Sequence, residues 1–190
     1  MNPVPLVSIV IPAFNPRFFK KALGGALKQS YGNLEIIVCD DSRSDEIKDI
    51  VESFAGCTTV SLRYVQNPQH LGFAGNLQAG LREARGEFIK FLCDDDQLFP
   101  ACIERQAQVL VEHADVNLVF AQRLFWDADD IQLSARLENT PLAPTSGLFK
   151  GEDLLAIFEA FPVNFLGGLS SAGSVNTGAA TFTVRTDALN

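Results

Sequence analysis

Closely spaced cysteines are missing from this chain. Its four cysteines are Cys39, Cys57, Cys93 and Cys102, and none lies two or three residues from another, so no zinc-type or redox pair can be read. Cys39 and Cys93 end apolar runs, where a reduced thiol behaves as a small hydrophobe. Reduced cysteines in a cytosolic protein are therefore expected. A basic patch is also missing, and the formal net charge is −8, which repels a nucleic-acid backbone. A nucleotide remains an allowed ligand, because a bound divalent cation reverses the local sign. No basic region precedes the first apolar stretch, so the start does not read as a signal peptide. The uncharged stretch from Phe161 to Val184 is rich in glycine and serine, which suits a flexible loop better than a membrane span.

What is present fits one soluble domain. A length of 190 residues with 47% hydrophobic and 20% charged residues suffices for a substantial core. Short apolar runs alternate with helix-period segments, the pattern of a mostly parallel sheet flanked by helices in the α/β class. Strands are expected at 6–11, 34–39, 61–65, 88–93 and 116–126. Helices are expected at 17–30, from near Ser44, at 72–84, after Pro100, and at 152–161. Phe19, Leu23 and Leu27 give the first helix its inner face, and Ile47, Ile50, Val51 and Phe54 the second. Lys90, inside a nearly continuous apolar strand, must reach a partner or an edge. Residues 139–151 read as turns.

Ligands of open α/β sheets sit beyond the carboxyl ends of the strands. Three strands finish there in polar clusters: Pro12-Ala13-Phe14-Asn15, Asp40-Asp41-Ser42 and Asp94-Asp95-Asp96. If those strands are parallel neighbours, the clusters share one rim. Three successive carboxylates raise one another's pKa unless a cation or hydrogen-bond donors neutralise them. Mg²⁺ and Mn²⁺ prefer oxygen ligands and commonly bridge one or two carboxylates to phosphates. The alternative for Asp94 to Asp96 is a solvated turn capping the next helix. Asp127-Ala128-Asp129-Asp130 has similar letters but reads as a solvated turn. Asp40 and Asp41 either meet a nucleobase or favour the start of the next helix through its dipole. His70 is a lone loop histidine and receives no role.

These segments resemble family 2 glycosyltransferases. Val7 to Asn15 is similar to that family's opening strand, Ile37 to Asp45 to its second-strand acidic motif, and Gly86 to Pro100 to the strand leading into its DXD metal-binding motif. Three motifs in order are far more specific than one, and they favour Asp94 to Asp96 over Asp127 to Asp130. The resemblance implies the GT-A (nucleotide-diphospho-sugar transferase) fold. It also implies metal-dependent transfer of a sugar from a nucleotide-diphosphate donor to an acceptor hydroxyl, with inversion. In that reading Pro12, Ala13, Phe14, Asn15, Asp41 and Asp94 bind the nucleotide sugar, Phe14 packing on the base and Asp41 reading its edge. Asp95 is the principal ligand of Mn²⁺ or Mg²⁺, and Asp96 a second one. The partners implied are the nucleotide-sugar donor and a glycan, lipid-linked or other hydroxyl acceptor, with no nucleic acid and no transmembrane segment. The location implied is cytoplasmic, with a position peripheral to a membrane as the variant.

The chain also departs from that pattern. Relatives often carry an Arg-Asn pair in the helix after the third strand, where Leu77-Gln78 is read here, and Cys93 holds the place of the motif's first acid. The stretch from Asn176 to Arg185 resembles what precedes the family's catalytic acid, so the base is expected beyond Asn190. Residues 1–190 are accordingly read as a single domain truncated at its C-terminal end. Residues 1–100 form its nucleotide-sugar-binding part, and residues 101–190 begin the acceptor-side part, with Gly167 to Gly178 as a lid. Two rivals stand beside this reading. One is a non-catalytic nucleotide-sugar or glycan binding module of the same fold. The other is a nucleotidyltransferase, whose glycine-rich phosphate loop is missing from Pro12 to Pro16.

Overall fold

The computed structural model describes residues 4–121, 124–127, 150, 175–178 and 182–185. The elements run β1 (Val7–Ala13), α1 (Pro16–Leu27), β2 (Leu34–Asp40), α2 (Glu46–Ala55), β3 (Ser61–Gln66), α3 (Gly72–Glu83), β4 (Phe88–Phe91), α4 (Cys102–Glu112), β5 (Leu118–Phe120), β6 (Leu124–Asp127), β7 (Val175–Gly178) and β8 (Phe182–Arg185). Six strands form one sheet in the order β3-β2-β1-β4-β8-β5, while β6 and β7 make a separate antiparallel ribbon. Strands β1 to β4 are mutually parallel where they pair, and β8 runs antiparallel to both β4 and β5. The expected α/β architecture with a mostly parallel sheet flanked by helices is the one found.

The central strands β1 and β2 are buried along their whole length. Successive strand residues point to opposite faces, so each strand feeds two cores. Val7, Ile9, Ile11 and Ala13 join Leu34, Ile36, Val38 and Phe88 on one face, with Phe19 and Leu23 of α1, Ile47 of α2 and Ile103 of α4. Val10, Ile37, Cys39 and Ile89 occupy the other, with Leu81 packed against them. Each fully buried side chain of this size contributes roughly 1.5–3 kcal/mol. Helix α3 reaches its face through Gly80, where an added Cβ would collide with Val10 Cγ1.

Several expectations change in detail. Helix α2 begins at Glu46 with Asp45 as its N-cap and no side-chain cap bond, so Ser44 does not cap it. The buried residues of α3 are Asn76 and Gly80; Leu77 and Leu81 are only partly buried, because the helix lies close enough for small residues to face the sheet. The run from Val116 to Trp126 is two strands in two sheets, since an apolar run carries no mark of its pairing partner. Part of the stretch read as a loop from Phe161 to Val184 pairs as β7 and β8, which satisfies backbone groups that a loop leaves open. The expected helix at 152–161, the turns at 139–151 apart from Lys150, and residues 128–130 of the second acidic cluster lie outside the described residues.

Candidate functional site

Because β2, β1 and β4 are parallel neighbours, their carboxyl ends open onto one rim. Leu92 extends the β4 pairing by donating to Val10 O at 3.0 Å, which carries the chain into Cys93 and the three aspartates. At the end of β1, Pro12 and Ala13 are buried. Asn15 caps α1, its Oδ1 accepting from Arg17 N at 3.0 Å. Phe14 and Asn15 both donate their amides to Asp94 Oδ2 at 2.7 Å. Burial pushes the Asp94 carboxyl up, against these amide bonds, which favour its charged form. Asp94 therefore ties the loop after β1 to the loop after β4.

The loop after β2 is fastened just as firmly. Asp40 accepts from Ser42 N at 2.8 Å and from the Tyr64 hydroxyl at 2.7 Å. Asp41 donates its own amide to Ala13 O at 2.9 Å. Its carboxylate accepts from Asn67 Nδ2 at 2.9 Å, Leu71 N at 2.8 Å and Gly72 N at 2.8 Å, and lies 2.8 Å from His70 Nδ1. The amides of Leu71 and Gly72 stand at the start of α3, and Gly72 has φ +71, a turn that favours glycine. The helix that Asp41 serves is thus α3, not the next helix in sequence. Burial opposes the charge on Asp41, but the Leu71, Asn67 and Gly72 hydrogen bonds and His70 together hold its pKa below the ordinary carboxylate value.

Asn76 completes this corner, accepting from Asn67 Nδ2 at 2.9 Å and donating to Ala13 O at 3.2 Å. Leu77, at the place where relatives often carry arginine, is partly buried, and Gln78 is exposed. His70, which sequence reasoning left without a role, joins the site. Its ring centroid is 5.5 Å from that of Phe14, and both side chains are largely open to solvent. The sequence signal for it was only its position two residues before Gly72.

Cys93, Asp95 and Asp96 each present a ligand atom within 4.8 Å of the others. Burial raises the Asp95 carboxyl. Burial and the charges of Asp96, Asp95 and Asp94 push the Cys93 thiol far up. Hard divalent ions prefer oxygen, so the donors that suit one are the two carboxylates, a number Mg²⁺ commonly uses alongside phosphates. Beneath them Lys90 is fully buried and donates to Gln106 Oε1 of α4 at 2.9 Å, the partner its strand position demanded. Farther along, Gln29 donates to Phe99 O at 2.9 Å and accepts from Ile103 N at 3.0 Å, clamping the path into α4.

A family model described as glycosyl transferase family 2 matches residues 8–166. The chain belongs to glycosyltransferase family 2. It is 33% identical over 106 residues to a GalNAc(5)-diNAcBac-PP-undecaprenol beta-1,3-glucosyltransferase of Campylobacter jejuni, covering 55% of this chain and 34% of that one. To the Escherichia coli UDP-Glc:alpha-D-GlcNAc-diphosphoundecaprenol beta-1,3-glucosyltransferase WfgD it is 32% identical over 109 residues, covering 57% and 42%. The chain thus spans less than half the length of these two relatives. Among solved structures, Staphylococcus aureus TarS 1-349 matches with TM-score 0.54 and 25% identity, covering 60% of this chain and 34% of that one. The mannosyltransferase PcManGT of Pyrobaculum calidifontis, solved with GDP-Man and Mn²⁺, matches with TM-score 0.53 and 26% identity, covering 62% and 35%. The fold is that of the GT-A glycosyltransferases. No helix among the described residues is long and apolar enough to cross a membrane.

Proposed function

We propose that this chain forms the donor-binding part of a metal-dependent, inverting glycosyltransferase that moves a sugar from a nucleoside diphosphate to an acceptor hydroxyl. The observation that carries this reading is the meeting of three strand ends. Asp94 holds the Phe14–Asn15 loop, and the neighbouring Asp95 and Asp96 converge as hard oxygen donors. Asp95 is the principal ligand for Mn²⁺ or Mg²⁺, and Asp96 the second. Such an ion, when bound, stabilises negative charge on the departing diphosphate. PcManGT, with its GDP-Man and Mn²⁺, supports that assignment.

The chain's own residues then divide the work. The exposed Phe14 ring offers a flat apolar surface to the base, and Asn15 lies beside it. Asp94 acts by holding that loop, because its carboxylate oxygen is already engaged by two amides. Deprotonation of the acceptor falls to a carboxylate outside the described residues. A lipid-diphosphate-linked glycan is the acceptor class we favour, on the names of the two bacterial relatives. Such an acceptor supports a position peripheral to a membrane, and we take its cytoplasmic face as the expected side.

Calorimetric titration with UDP, GDP and dTDP, each with and without Mn²⁺, tests the reading. One nucleotide is expected to bind only with metal, and Asp95→Ala is expected to abolish that binding while the circular dichroism spectrum is unchanged. Equal affinity in the variant, with metal present, would contradict the assignment of Asp95.

A further inference from the structure

Asp95 and Asp96 sit on a short run of chain between two fixed points. At its near end Leu92 N donates to Val10 O at 3.0 Å and Asp96 N to Cys93 O at 3.2 Å, so the run leaves β4 through a tight turn. Leu98 then enters the core, and its backbone lies against α1: a Cβ added at Gly25 would stand 3.4 Å from Leu98 N. The far end is fastened by Gln29, just past the C-cap Lys28 of α1. Gln29 Nε2 donates to Gly25 O at 3.1 Å and to Phe99 O at 2.9 Å, while Oε1 accepts from Ile103 N at 3.0 Å. Both amide N–H groups and the carbonyl oxygen are thus engaged. The bond to Gly25 fixes the side chain on its own helix, so the other two hold the run and α4 against a preset group. Only Gln97 and Leu98 separate Phe99 from Asp96, and a shift of the Phe99 carbonyl has little chain in which to dissipate.

We infer that Gln29 is a positioning residue of the metal site: by holding the Phe99 carbonyl it keeps the run that carries Asp95 and Asp96 in the shape that brings their carboxylates together. The inference rests on the donor-site reading above. Gln29 acts through the backbone of that run. Without its bond to Phe99 the run samples arrangements in which the two carboxylates stand apart, and an ion must gather them before it binds. The apparent metal affinity then falls by the fraction of molecules that are ready to bind. Groups that orient metal ligands are typically worth about 10–100-fold in metal affinity. Once the metal is in excess the site is assembled, and a nucleotide meets it as it does in wild type.

The test measures binding of UDP, GDP and dTDP calorimetrically over a range of Mn²⁺ concentrations, in wild type, Gln29→Leu, Gln29→Glu and Ser30→Ala. Gln29→Leu removes all three bonds. Gln29→Glu keeps an acceptor for Ile103 N but loses the donor to Phe99 O, so it decides the matter if Gln29→Leu does not fold. Ser30→Ala is the control: it loses the 2.6 Å bond from Ser30 Oγ to Glu104 Oε2 at the same helix end and leaves Gln29 in place. In both Gln29 variants the Mn²⁺ concentration for half-maximal nucleotide binding is expected to rise about tenfold. Nucleotide affinity at saturating Mn²⁺ should return to within about twofold of wild type, a split that general destabilisation does not produce. Ser30→Ala is expected to show the wild-type Mn²⁺ dependence, whatever its melting temperature. An unchanged Mn²⁺ dependence in a folded Gln29 variant overturns the assignment. So does a loss that saturating Mn²⁺ does not restore, or an equal shift in Ser30→Ala. A wild type whose nucleotide binding does not depend on Mn²⁺ overturns the donor-site reading itself, and the role of Gln29 with it.

Discussion

Asp94 accepts a hydrogen bond from the backbone amide of Phe14 at 2.7 Å, joining residues 80 positions apart in sequence. The amide of Asn15 reaches the same oxygen. The carboxylate is a bolt between two loops, and its removal should affect base binding more than metal binding. Asp94→Ala is expected to weaken nucleotide affinity tenfold or more. It should also destabilise the fold by about 1–3 kcal/mol, the range for leaving hydrogen-bonding groups unpaired. Denaturant midpoints and calorimetry on the same samples check both effects.

Asp41 makes acid stability depend on one buried carboxylate. Its folded pKa lies below the ordinary value of 3.8, so in the interval between the two the unfolded chain binds more protons. Stability from this group is complete above 3.8 and is lost as pH falls through the folded value. Asp41→Asn, which does not titrate, is expected to show a smaller fall in melting temperature than wild type below about pH 4. Identical acid profiles would remove Asp41 as the source.

Lys90 has the opposite sign. Burial lowers its pKa from 10.5 to about 8, against the pull of Cys102 and Asp96. Between those values the unfolded chain binds more protons, so this group's contribution to stability rises with pH. Wild type is expected to gain on Lys90→Met as pH goes from 8 to 10.5, read as the difference between the two denaturant midpoints. A constant difference over that interval would show that Lys90 does not titrate there.

Gly80 sets how closely α3 approaches the sheet. An added Cβ meets Val10 Cγ1 and lies 3.3 Å from Cys39 Sγ. Neither is the far end of a flexible side chain, so α3 must shift. Gly80→Ala is expected to cost about 1–3 kcal/mol despite the better helix propensity of alanine. The shift should also weaken nucleotide binding, because Asn76 sits one turn earlier on the same helix. Unchanged stability would mean that the helix relaxes freely.

Much of the site's location was legible in the chain. Polar clusters after apolar runs mark strand ends, and alternation with helices marks parallel strands, so a shared rim followed from pattern alone. The allocation of the carboxylates did not. Asp41 was read as meeting a base or the next helix, and it caps α3, thirty residues on. Asp94 was read as a nucleotide-sugar-binding residue, and its carboxylate also holds the Phe14 and Asn15 amides, which the sequence did not show. Asn67 carried no signal and His70 only its place two residues before Gly72, because a loop residue's neighbours depend on how loops from other strands fold over it.

The sequence by itself determined the α/β class, the parallel core strands and the rim where acidic residues gather, since periodicity and turn chemistry are local properties. It also carried the three motifs of family 2. Only the tertiary structure decided that Asp94 fastens the Phe14–Asn15 loop and that Asp41 fastens the start of α3. It also decided that Phe120 and Leu124 belong to different sheets and that β8 enters between β4 and β5. Those choices depend on backbone amides and strand edges supplied by distant parts of the chain, and a donor's position in space is not written in the residues beside its acceptor.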